Sequence, residues 1–90
     1  MNTIWKFEVP ILDEFTLRMP EGAKVLSVGE QWGTLVLWAL VDPTAECVDK
    51  RFAVRGTGHP THDLSAEDYI GTAITGGGSL VWHVFGVMDP

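Results

Sequence analysis

The chain has one cysteine, only six lysines and arginines in total, and no apolar run long enough to span a membrane as a helix. Each shortage excludes something. A lone Cys47 rules out an intramolecular disulfide and any cysteine-based zinc centre, and it suits a reducing cytoplasm. Six cations against twelve carboxylates leave a net charge of −6. That argues against a nucleic acid polymer as partner, since such binding needs clustered cations to displace counterions. It equally disfavours an anionic membrane surface. The opening MNTIWKFEVP does not read as a secretory leader, because Lys6 and Glu8 break its apolar run.

What is present is apolar and aromatic. Hydrophobic residues make up 46% of ninety residues, and four of them are tryptophan. Ninety residues make a single domain, 1–90, with room for one modest core. A chain this small leaves much of its surface in water, so this apolar excess favours a homo-oligomer over a monomer.

Period-2 alternation runs through most of the sequence. TIWKFEV sets Trp5, Phe7 and Val9 on one face, and EFTLRM sets Phe15, Leu17 and Met19 on one face. Leu35 to Val41 is apolar on both faces, the mark of a central strand. AKVLSVGEQ and TLVLWALVD flank Trp32–Gly33 as a hairpin, and KRFAVRG, YIGTAIT and LVWHVFGV supply further strands. One short helical turn is expected near residues 64–69, where Ser65 is placed to cap and Glu67 and Asp68 suit its start. The reading is a mainly β fold: a small antiparallel sheet, barrel or sandwich of about seven strands. By their alternation, Trp5 and Trp82 are assigned to the core.

Two glycine-rich stretches interrupt this pattern, RGTGHPTHDL and TGGGS. Glycine turns can aim successive backbone N–H groups at an anion without any net positive charge, and guanidinium groups hold phosphate in bidentate fashion. The candidate ligand-binding residues are therefore Arg51, Arg55, Gly56, Thr57, Gly58 and His59, joined by Gly77 and Ser79 from the second stretch. Trp32 at its turn and Tyr69 beside the loop are candidates for stacking on a base. Neither stretch matches a P-loop or dinucleotide pattern. His59, His62 and Asp63 are weak metal candidates, with His83 farther along, because loop spacing does not fix them on one face. No catalytic residue and no cofactor is specified.

The blocks IWKFEVP, MPEGAKVLSV, LWALVD, FAVRGTGHP and GSLVWHVF, in that order, resemble a family of short single-domain proteins. These are encoded by bacteriophages and by bacteria with prophage-like genes, and the family is labelled a domain of unknown function. The resemblance implies a setting, a small protein of the host-cell cytoplasm, and no reaction. Within it, the first expectation is a binding protein that sequesters a small anionic ligand without catalysis, such as a cyclic nucleotide signal in counter-defence. A protein–protein inhibitor or accessory factor of a host or phage complex is the alternative. A metal-dependent hydrolase using the histidine loop comes third.

Overall fold

The computed structural model describes residues 2–87. Seven strands follow one another: β1 (Thr3–Glu8), β2 (Glu14–Pro20), β3 (Lys24–Gln31), β4 (Thr34–Val41), β5 (Cys47–Gly56), β6 (Tyr69–Thr75) and β7 (Leu80–Val87). They form two antiparallel sheets, one ordered β1-β4-β3 and the other β2-β5-β7-β6. The fold class read from the sequence is therefore the observed one. Helical structure among the described residues is confined to two short 3-10 turns, at Ala66–Asp68 and Gly76–Gly78. At the first of these, Ser65 caps as expected, its side chain accepting from the Glu67 N–H at 3.3 Å. Among the described residues, no helix is long and apolar enough to cross a membrane.

The chain changes sheet where its alternation is punctuated. Val9 still donates to the Leu35 carbonyl at 2.8 Å, extending the first sheet, while Asp13 accepts from Val54 at 3.1 Å, extending the second. Between them Pro10, with no N–H, ends the first ladder. The core lies between the sheets. Met19, Leu37, Ala39, Val41 and Val84 are essentially inaccessible, and Phe15 stacks on Phe52 across β2 and β5 at 5.6 Å between centroids. β4 is the middle strand of its sheet, and Leu35, Val36 and Leu37 bury both of its faces, as its unbroken apolar run predicts, with Trp38 and Leu40 half-buried.

At one side the sheets close on each other through β3 and β6. An ideal Cβ on Gly71 would sit 3.2 Å from Val28 Cγ2, so glycine permits the close approach of the two edges. At the other side β1 is the edge strand of its sheet. Phe7 packs against the core, but Trp5 is 38% exposed, which corrects its assignment to the core. Trp82 does pack against the core, its indole N–H bonded to Thr75 Oγ1 at 2.9 Å.

Candidate functional site

β5 leaves its sheet through Gly56, and the next four residues make a tight turn. The His59 N–H bonds back to the Gly56 carbonyl at 3.1 Å, and Gly58 takes φ +89°, which a side chain would strain. β6 returns to β7 through Gly76, Gly77 and Gly78, all at positive φ, with the Ser79 hydroxyl donating to the Gly76 carbonyl at 2.8 Å. Because β7 lies beside both β5 and β6, these turns emerge at the same end of the sandwich. They share a depression of about 220 Å³ lined by Gly56, Thr57, His59, Ser79, Leu80 and Trp82, with Val81 at its edge. Leu80 and Trp82 also line a second depression of about 410 Å³, which runs on to Val9, Ile11, Gly33 and Leu35. Among the described residues, no carboxylate lines either one.

Beside this rim, a polar chain crosses the solvent face of the β5-β7-β6 sheet. His83 Nε2 is 2.7 Å from Thr57 Oγ1, and its Nδ1 is 2.9 Å from Thr72 Oγ1. Thr72 in turn meets the Tyr69 hydroxyl. The register explains the assembly, since His83 opposes Thr72 on one side and Arg55 on the other. A neutral imidazole donates through one nitrogen and accepts through the other, so the hydroxyls orient the ring. The Thr57–His83 distance would suit a nucleophile and its base. However, the far ring nitrogen faces a hydroxyl and not a carboxylate, so no charge partner stabilises an imidazolium. The arrangement fixes the orientation of the ring and of the hydroxyls beside it.

Arg55 belongs under the loop and not on the rim, which corrects the expectation that it offers itself to phosphate. Its guanidinium donates to the carbonyls of Pro60 (3.2 Å), Asp13 (2.6 Å) and Val54 (3.1 Å), and to Asp63 Oδ2 (3.0 Å). Only 9% of the residue is exposed. Arg51 also lies away from the rim, four residues back along β5, where it pairs with Glu14 at 2.7 Å. The metal candidates do not assemble. Asp63 is turned to Arg55, and no three of His, Cys, Asp and Glu form a metal-binding set among the described residues.

The remaining candidates are divided between the two turns, the β3–β4 hairpin and a separate depression that Tyr69 lines together with Arg51. Gly56, Thr57, Gly58, His59, Gly77 and Ser79 belong to the turns, and Trp32 stands 94% exposed on the β3–β4 hairpin beside Gly33. Tyr69 reaches Thr57 only through Thr72 and His83. A family model covers residues 1–90. The chain belongs to the DUF7352 family, a domain of unknown function. No curated protein and no solved structure matches it. Membership therefore transfers no role to any residue, and the reading of the rim rests on geometry. Sequence reasoning missed Thr72, Leu80 and Trp82 as members of the site. Strand alternation places each on a face, but only the register across three strands brings them together.

Proposed function

We propose that this protein is a non-catalytic binding protein that holds a small anionic ligand at the rim of its two glycine-rich turns. One observation carries the reading: Gly56, Thr57 and His59 share a depression with Ser79 and Leu80. There the hydroxyl of Thr57, the imidazole of His59 and the N–H groups of Gly58 and Gly77 replace the arginines as anion donors, while the Ser79 hydroxyl holds the second turn in shape through the Gly76 carbonyl. The adjoining depression, with Ile11, Leu80 and Trp82 in its wall, suits the flat apolar body of the same ligand. An anionic head on an aromatic body describes a nucleotide. The overall charge of −6 opposes it only weakly, because no carboxylate among the described residues lines either wall and distant charges are screened within about 8 Å at physiological salt. In a phage-infected host cytoplasm, such a protein would act by sequestering a nucleotide signal.

A thermal-shift series with inorganic phosphate, linear nucleotides and cyclic nucleotides tests this. A nucleotide that raises the melting temperature and is recovered unaltered after heat release supports the reading. An unchanged melting temperature across the whole series rejects it. A second reading, a protein partner anchored on Trp32, is favoured by that residue's 94% exposure. It predicts that Trp32→Ala abolishes capture of a host protein while nucleotides have no effect.

A further inference from the structure

We propose that two copies of this chain pair through the free edge of β1, antiparallel, with Trp5 on the two-fold axis. The phase of the β1 ladder sets what that edge offers. Val9 donates to Leu35, and the register with β4 is unbroken from Thr3↔Val41 to Glu8↔Val36. Alternation therefore places Thr3, Trp5 and Phe7 in the hydrogen-bonded pairs with β4. The backbone groups of Ile4, Lys6 and Glu8 point away from the sheet, in the geometry that receives another strand.

The other edges are less open to pairing. β3 and β6 face each other across the Gly71–Val28 contact. β2 is an edge strand too, but it carries the charged Glu14 and Arg18 and ends in Pro20, residues that discourage strand addition. β1 carries Ile4 at 56% exposure and Trp5 at 38%, apolar surface that water would otherwise cover. The occupant is a second copy because the edge is self-complementary. Symmetric antiparallel pairing must place one residue opposite itself. A centre at Ile4 or farther toward either end of Thr3–Glu8 pairs fewer residues of the strand than one at Trp5 or Lys6, and centring on Lys6 sets two like charges face to face, which is destabilising. Centring on Trp5 sets Ile4 against the partner subunit's Lys6 and stacks the two indoles at a non-hydrogen-bonded position, where side chains approach most closely. The result is one continuous sheet of six strands built from two three-stranded sheets.

The pairing is independent of the ligand reading, so it is tested on protein without ligand. Sedimentation equilibrium from about 1 to 200 µM should show a mass rising from 9.9 kDa toward twice that value. Ile4→Pro removes an outward N–H while leaving the β4 ladder intact, and should hold the mass at 9.9 kDa. Independently of how well that variant folds, Trp5→Cys in a Cys47→Ser background should form a covalent dimer on mild oxidation. Its paired Cα atoms would lie about 4.5 Å apart, within reach of a disulfide. Lys6→Cys in the same background should cross-link at least about tenfold more slowly, since it opposes Ile4 and not itself. A wild type that stays monomeric throughout, a folded Ile4→Pro dimer, or equal cross-linking at positions 5 and 6 overturns the proposal.

Discussion

Arg55 and Asp63 form an ion pair at 3.0 Å that ties the histidine loop down onto the face of β5. The arginine side chain is 10% exposed and the aspartate 45%, so the pair is lopsided: one end is structural, the other reaches water. Arg55→Ala removes four hydrogen bonds, three of them to carbonyls that would lose a partner. It should cost about 3 kcal/mol in urea unfolding. Asp63→Asn leaves the three carbonyl contacts and should cost about 1 kcal/mol. Arg55→Lys should behave like the alanine variant, because an ammonium cannot reproduce the planar fork. Equal effects of Arg55→Ala and Asp63→Asn would show that the carbonyl contacts contribute nothing.

Gly71 and Val28 set the spacing where the sheets close. A Cβ at position 71 would meet Val28 Cγ2 at 3.2 Å and the Val28 backbone nitrogen at 3.6 Å. Gly71→Ala should therefore destabilise by about 1–2 kcal/mol through overpacking. Val28→Ala removes the nearest methyl but keeps the Val28 Cβ at 3.3 Å, so it relieves the collision only in part, and the double variant should be more stable than the sum of the single effects by about 0.5 kcal/mol. Additive effects in a denaturant-based double-mutant cycle would mean that this contact does not limit the approach.

How far the sequence could be read depends on the range of the forces involved. β4 was legible because burial on both faces leaves an unbroken apolar run, and the turn at Ala66–Asp68 was legible because Ser65 is a local cap. The face of Arg55 was legible too, since Arg51, Ala53 and Arg55 do lie on one side of β5. What alternation cannot report is whether anything covers that face. The loop after Gly56 folds over Arg55, and no local pattern signals it. Trp5 shows the converse: alternation put it on the core-facing side, but it stands on an edge strand and stays partly exposed, which alternation does not report. The polar chain through His83 needs the registers of β5, β7 and β6 at once, which are contacts distant in sequence.

Asp42 offers a prediction in pH. The Thr44 hydroxyl donates to its carboxylate at 2.6 Å and the Thr44 N–H at 2.9 Å, and these bonds lower its pKa below the ordinary 3.8. A group depressed in the folded state contributes stability above its unfolded value, and that contribution is lost as pH falls through the folded value. Thr44→Val removes the hydroxyl donor, so the Asp42 carboxyl resonance should titrate at higher pH than in the wild type. The stability gap between wild type and Asp42→Asn should shrink steadily below the ordinary carboxylate range. A titration midpoint unmoved by Thr44→Val would remove the hydroxyl as its cause.

Trp32 sets stability against binding at the rim. It is the only described non-glycine residue with positive φ, +55°, followed by Gly33 at +82°, the pattern of a two-residue type I′ hairpin that favours Asn-Gly. A bulky ring there is strained, and at 94% exposure it gains nothing from burial. Trp32→Asn should therefore raise stability by about 0.5–1 kcal/mol, read as a higher melting temperature. The same substitution removes the one large aromatic surface standing free at the end where the glycine turns converge. If that ring stacks on the ligand, the nucleotide-induced thermal shift should fall as the ligand-free melting temperature rises. A rise in melting temperature with an undiminished ligand shift would assign Trp32 to the partner reading; a fall in melting temperature would show that the ring packs on the fold itself.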